Sequence, residues 1–244
     1  KKLPWTDYII YAANSSNNLE NLKGIYNFKR LLNKNFKKTK ILFTSSGAVY
    51  GPIKSKKKIS ENSIISISKV NNFSGYKNEY AKSKIIMENE FKKISQKGYL
   101  VSIARLFSFI GKKILINKNF AVTNLISQAK NKKKKSIKLN DNRDVYRSYM
   151  NSIDLINWLF IILVNSKKQC NIYNVGSDET ITVENLAKLI AKKFNKKVEK
   201  NYKSFFDNKN KKIDFYVPSI SKAKKKLNLR IKYKIQESLN SLLD

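Results

Sequence analysis

Tyr80 and Lys84 stand four residues apart in Glu79-Tyr80-Ala81-Lys82-Ser83-Lys84, with no helix breaker between them. On a helix, positions i and i+4 share a face, which brings a lysine ammonium close to a phenol. A free tyrosine ionises near pH ~10. A neighbouring cation favours the phenolate and draws it toward service as a general base near neutral pH. Each unit of that shift requires about 1.4 kcal/mol of differential interaction. Tyr50 and Lys54 have the same spacing, but Pro52 lies between them and prevents a shared helical face.

The elements that must position this pair are legible on either side of it. The apolar run Ile41-Leu42-Phe43-Thr44 predicts a buried strand that ends in a hydroxyl-bearing turn, Ser45-Ser46-Gly47-Ala48-Val49-Tyr50-Gly51. A polar loop over 52–77 follows, long enough to carry function. The helix of Tyr80 and Lys84 is predicted over about 78–96, its apolar face continued by Ile85, Met87 and Phe91, and a strand over 100–106 follows it. Upstream, Tyr8 to Ala13 reads as a strand, and 17–35 as a helix with Leu22, Ile25 and Leu32 on one face. This strand–helix–strand rhythm predicts an α/β chain with a doubly wound parallel sheet. Downstream, short helices are predicted over 120–128 and 235–243, and Thr182 is placed as the cap of a helix running to Lys193. Residues 171–176 read as a strand ending in a glycine turn. The run 155–164, interrupted by Asn157, is too short to span a bilayer and reads as a buried helix.

Composition narrows the chemistry. The 244 residues, 41% hydrophobic, suffice for a substantial core in one domain or two closely packed lobes. There is no histidine and a single cysteine, Cys170. Histidine triads, His-ligated or Cys-cluster zinc and internal disulfides are therefore excluded, which leaves Tyr, Lys, Asp and Glu to move protons. Cys170 fits a reduced core residue of a cytoplasmic protein. The formal charge of +34 raises a nucleic-acid partner, yet the excess is mainly lysine spread along the chain among Asn and Ile. That dispersion argues for codon bias as readily as for a binding stripe, and the run 132–135 reads as a solvated loop.

With the Ser-bearing turn and Tyr-x-x-x-Lys both in view, the chain resembles the extended short-chain dehydrogenase/reductases. More narrowly, it is similar to the NAD-dependent epimerase/dehydratase family that modifies nucleotide sugars. The resemblance implies Ser46, Tyr80 and Lys84 as the catalytic set. It implies a partial NAD-binding Rossmann-like domain over 1–111, lacking the sheet's first strands. A smaller α/β substrate lobe over 112–244 follows, with 151–176 returning to the sheet. Cofactor contacts are expected from Ala12, Ala13, Asn14, Asn21, Ser45, Tyr80, Lys84 and Phe107. Substrate contacts are expected from Ser46, Ser108, Asn124, Leu125 and Arg147. In relatives an arginine at the place of Arg147 grips a phosphate of the substrate; its planar fork suits two oxygens at once. A structural ion pair to a neighbouring Asp is the alternative reading of Arg147. Phe215 stands where some relatives carry a phosphate-binding Arg.

The family's glycine-rich phosphate loop is not matched by any of the seven glycines, so the chain is expected to be an N-terminal truncation by roughly 60–80 residues, about two βα units. It is then expected to bind NAD poorly alone and to expose a sheet edge. The expected activity is a cytoplasmic, NAD-dependent (or NADP-dependent) epimerisation at C4 of a nucleoside-diphosphate sugar, with no metal. A nucleotide-sugar 4-keto reductase or 4,6-dehydratase of the same family is the alternative. Dehydratases commonly carry Asp-Glu after the catalytic Ser/Thr, where this chain has Gly47-Ala48, which cannot transfer protons. A non-catalytic basic nucleic-acid-binding protein is the alternative of another class. The resemblance also implies a homodimer when full length, through helices like those at 17–35 and 78–96, and a place in cell-surface polysaccharide biosynthesis.

Overall fold

A computed structural model describes residues 3–15, 17–111, 120–140, 143–200 and 213–243. In chain order the elements are β1 (Tyr8–Tyr11), α1 (Asn18–Leu31), β2 (Lys40–Ser46), α2 (Ile67–Val70), α3 (Tyr76–Gln96), β3 (Leu100–Leu106), β4 (Phe109–Ile110) and α4 (Ala121–Lys130). Then come β5 (Ser136–Leu139), β6 (Asp144–Arg147), β7 (Met150–Asn151), α5 (Ser152–Val164), β8 (Asn171–Val175), β9 (Ile181–Thr182) and α6 (Val183–Lys193). The chain closes with β10 (Lys197–Lys200), β11 (Ile213–Tyr216), α7 (Ser221–Leu227) and α8 (Ile235–Leu243). The expected passage between the two parts, at 112–119, lies outside the described residues.

The main sheet runs β1-β2-β3-β8, every pair parallel. Parallel neighbours need crossovers, and α1 and α3 supply the first two. Both faces of this sheet are covered, which is why Ile41, Leu42 and Phe43 of β2 are apolar in succession instead of alternating. Ile41 and Phe43 face α1 and α3, packing with Ile25, Phe28, Met87 and Phe91. Leu42 points to the opposite face, toward Trp158, Ile162 and Ala223 of α5 and α7. The doubly wound arrangement predicted from the rhythm of the elements is therefore present. Among the described residues β1 is an edge strand, with Tyr8 and Ile10 exposed.

Residues beyond β3 build a second core. Helices α4, α6 and α8 close around Leu125, Ile126, Ile137, Leu186, Ile190 and Leu239. Two small sheets, β10-β5 and β11-β6-β9, flank it. The lobes are tied by buried polar contacts: Asp154 accepts from the Lys232 and Tyr233 amides at 3.0 Å, and the Trp158 indole donates to Arg230 O at 3.1 Å.

Two expectations need correction. The 52–77 loop contains a short helix, α2, capped by the Ser66 hydroxyl on Lys69 N. The apolar helix α5 is only half buried. Trp158 and Ile162 face the sheet, while Ile156 and Phe160 are 52% and 54% exposed, because their side of the helix points away from it. No helix among the described residues is long and apolar enough to cross a membrane.

Phe91 is fully buried and stacks on Phe43 with ring centroids 4.5 Å apart and an interplanar angle of 10°. Phe91→Ala is expected to lower the unfolding free energy by roughly 3–5 kcal/mol, read by urea denaturation. A loss under about 1 kcal/mol would mean the α3–sheet contact is not the core of this half.

Candidate active site

The strand that was expected to deliver a hydroxyl does so. β2 ends at Ser46, whose Oγ accepts from Ala48 N at 3.2 Å and caps the short 3-10 turn over Gly47–Tyr50. The turn is buried beneath Val70 and Ala81 and packs on α3. That contact sets the Ser46 hydroxyl against the Tyr80 phenol, where it lowers the phenol's pKa.

Lys84 follows one turn later and is 3% exposed. Its ammonium donates to Thr44 O at 3.2 Å and lies 5.2 Å and 5.6 Å over the Phe43 and Tyr80 rings. Burial pulls the ammonium down to about 8, against the opposing pull of Glu88. The pair thus shares a face as its spacing requires, but one expectation fails. Tyr80 is raised above its usual value, because burial outweighs the Ser46 hydrogen bond and Lys84 does not enter the balance. The ammonium is turned to the Thr44 carbonyl and the ring faces.

Beneath the site lies a buried polar network that the sequence did not announce. Arg105 donates from Nε and Nη2 to the two Glu88 oxygens at 2.9 Å and 2.7 Å, and from Nη1 to the Tyr50 hydroxyl at 2.8 Å. The Ser45 hydroxyl donates to Glu88 Oε1 at 2.7 Å, and Tyr50 to Asn174 Oδ1 at 2.7 Å. Glu88 stands one helical turn past Lys84, a signal available in the sequence that was not used. Burial pushes the Tyr50 phenol up to about 12 against the pull of Arg105.

The remaining expected site residues divide. Ala12, Ala13 and Asn14 lie exposed just past the carboxyl end of β1, near the carboxyl end of β2. Asn21 is buried, with both amide atoms bonded to the Ser15 backbone, so it braces the loop after β1. Ser45 is held inward by Glu88. Phe107 follows β3 and is buried with its ring 4.6 Å from that of Tyr216. Ser108, half-buried, offers its carbonyl to Met150 N. Asn124 is exposed and accepts from Gln128, whereas Leu125 is in the second core. Arg147 makes a two-pronged pair with Asp214, at 3.1 Å and 2.8 Å. That is the ion-pair alternative, and Arg143 adds a longer contact to the same carboxylate. Phe215 is buried on Tyr146, with ring centroids 5.7 Å apart.

Tyr216 was missed entirely. It closes β11 and brings its phenol, packed on the Phe107 ring, against Gly47 in the turn after Ser46. A Cβ built on Gly47 would lie 2.6 Å from the Tyr216 hydroxyl and 2.8 Å from the Phe107 ring, so glycine is required there by space. Among the described residues no group of His, Cys, Asp and Glu is arranged to hold a metal.

Comparison with known proteins agrees with this geometry. The chain matches the model of the NAD dependent epimerase/dehydratase family over residues 11–176. A dTDP-glucose 4,6-dehydratase from Bacillus anthracis, solved with NAD, superposes with a TM-score of 0.75 at 17% identity, covering 97% of this chain and 71% of that one. RMD from Pseudomonas aeruginosa, complexed with NADPH, gives 0.76 at 20% identity over 97% and 80%. A UDP-glucose 4-epimerase from Bifidobacterium longum, with NAD+ and UDP, gives 0.74 at 18% identity over 97% and 75%. At such identities the likeness is one of fold. Curated protein sequences give no match.

Two outcomes are expected. The folded chain releases the Lys84 proton from about pH 8, whereas the unfolded chain keeps it to about 10.5. Unfolding free energy therefore gains a contribution that rises with pH across that window. Lys84→Met should remove this rise in urea titrations, and an unchanged pH slope would contradict it. Arg105→Met strands the buried Glu88 carboxylate and should cost about 3–5 kcal/mol, while the double replacement Glu88→Met/Arg105→Met costs less. Strict additivity in the double-mutant cycle would show that the pair does not act as a unit.

Proposed function

The chain belongs to the NAD-dependent epimerase/dehydratase family, and from that premise we propose that it serves epimerisation at C4 of a nucleoside-diphosphate sugar. The observation that carries the reading is the buried Lys84 ammonium, 5.6 Å over the Tyr80 ring, on a helix packed against the strand end that carries Ser46. The group lies at the carboxyl ends of parallel strands, where α/β sheets bind ligands.

The residues present fit the nicotinamide and ribose end of NAD. Ala12 and Ala13 offer small exposed side chains beside the site. The Lys84 ammonium has three donors and spends one on Thr44 O, which leaves donors suited to ribose hydroxyls. NADP would present the same end. Held there, NAD would supply the hydride acceptor and donor for the sugar carbon.

The chain's own residues do the rest. Tyr80 removes the proton from the C4 hydroxyl and later returns it. Ser46 orients that oxygen. Lys84, by its charge, supports the tyrosinate once substrate oxygens replace solvent around it. Arg147 and Arg143, gathered on Asp214 with Lys77 nearby, leave positive charge in excess where a diphosphate would lie. Dehydration is disfavoured because Gly47 and Ala48 carry no acid or base, and the Tyr216 hydroxyl occupies the space a side chain at 47 would need. A 4-keto reductase uses the same three residues and differs only in the substrate presented.

In an assay of the full-length protein with NAD and UDP- or dTDP-hexoses, the expected product is the C4 epimer. Tyr80→Phe should reduce turnover by about 10²–10⁴-fold while leaving the circular dichroism spectrum unchanged. A 4-keto-6-deoxy product, or full activity of the variant, would overturn the reading.

A further inference from the structure

Lysine is dispersed along the sequence, yet the second lobe gathers two groups of it at one edge. One is the run 132–135 in the turn from α4 to β5, and the other is the end of α6 with the start of β10. β10 lies parallel to β5 with Lys197 opposite Ser136, so Lys135 and Lys197 meet where the two strands begin. The Lys196 ammonium donates to Asn131 O at 2.6 Å and to Gln128 O at 3.2 Å, which closes the carbonyl end of α4 and ties the groups together. Between α6 and β10 a shallow cavity of about 430 Å³ is lined by Lys188, Lys192, Lys196 and Lys197 over an apolar floor of Ala191 and Val198.

We propose that this edge is a docking surface for the anionic face of a lipid bilayer, held by headgroup phosphates and carboxylates.

The charge here is not balanced as it is on the first lobe. There Lys29 and Lys93 pair with Glu90, and Lys82 with Glu79. Neither 128–138 nor 185–198 contains an acidic residue. The lysines of the run 132–135, with Lys192 and Lys197, are exposed and make no ion pair among the described residues. A lysine in the last turn of α6 offsets the negative end of that helix, which accounts for Lys192 but not for the run or for Lys197. Like charges gathered in this way repel one another and weaken the fold unless something negative lies against them.

The residue types choose between polyanions. Nucleic acids are gripped by the arginine fork and by aromatic rings that stack on bases. Neither segment holds an arginine, and their one aromatic residue, Phe194, packs against the second core. Lysines on long stems are point charges without a fixed fork, suited to mobile headgroups that rearrange beneath them. Beside an anionic leaflet, each contributes about fivefold in partition.

The test is co-sedimentation of the full-length protein with vesicles at about 0.15 M salt, where the Debye length is only ~8 Å and distant charge is screened. Vesicles of phosphatidylcholine containing about one-third phosphatidylserine are compared with phosphatidylcholine alone. The protein is expected to sediment with the first and not with the second. The triple variant Lys133→Gln/Lys134→Gln/Lys135→Gln should weaken this binding by about 10²-fold. Lys23→Gln/Lys34→Gln/Lys38→Gln removes the same charge from exposed positions on the other lobe and should weaken it by less than about threefold. Equal losses in the two variants would show that net charge alone acts and would overturn the proposal. So would absence of binding to the phosphatidylserine vesicles. Tighter binding to single-stranded RNA than to vesicles, lost in the first variant, would assign the surface to nucleic acid and overturn it too. No readout involves turnover, so the presence or absence of epimerase activity leaves the outcome unaffected.

Discussion

The buried pairing of Glu88 with Arg105 is the interaction on which this site depends. Two charges removed from water are costly unless they meet each other with their remaining donors and acceptors filled. Here they are filled. Arg105 spends Nε, Nη1 and Nη2 on Glu88 and Tyr50, and Glu88 takes the Ser45 hydroxyl as well. Those partners come from α3, β3, the end of β2 and the turn after it. Tyr50 extends the chain to Asn174 on β8, which itself bonds the Ile59 and Ser219 carbonyls. A shift of α3 relative to β2 would break several of these bonds together. The helix carrying Tyr80 and Lys84 is thereby held in register with the strand end carrying Ser46. Hydrophobic packing alone, as between Phe43 and Phe91, resists separation but tolerates sliding far better than a forked ion pair does.

A second constraint joins the lobes at the same place. Gly47, Phe107 and Tyr216 meet within van der Waals distance, so the turn after β2, the segment after β3 and the end of β11 share one small volume. Tyr216 lies beside Asp214, which pairs with Arg147 across the β11–β6 ladder. The cationic side of the cleft and the hydroxyl side of the site are therefore attached to a single strand.

Much of this was legible before any coordinates. The spacing of Tyr80 and Lys84, uninterrupted by proline, places both on one face of α3, and the apolar run through Phe43 is the central strand it implies. What local pattern could not carry was the direction of individual side chains. Asn21 and Ser45 looked available to a ligand, yet each is turned inward because a nearby group, the Ser15 backbone or Glu88, claims it. Lys84 and Tyr80 share a face, but burial acts on the phenol more strongly than the ammonium does, and only the depth of the site reveals that. Arg147 finds Asp214, and Gly47 finds Tyr216, through contacts distant in sequence, for which single-chain periodicity offers no signal. The run at 155–164 is apolar on both sides of α5, so its composition gave no means of telling the buried face from the exposed one.

The central claim is that Ser46, Tyr80 and Lys84 form one site that takes the sugar of a nucleoside diphosphate together with NAD. A crystal structure of the full-length protein grown with NAD and UDP-glucose tests it most directly. The account predicts a sugar hydroxyl within hydrogen-bonding distance of both Ser46 Oγ and the Tyr80 phenol, with the nicotinamide ribose on Lys84. A nucleotide sugar seated elsewhere, with Ser46 and Tyr80 contacting neither ligand, would contradict it.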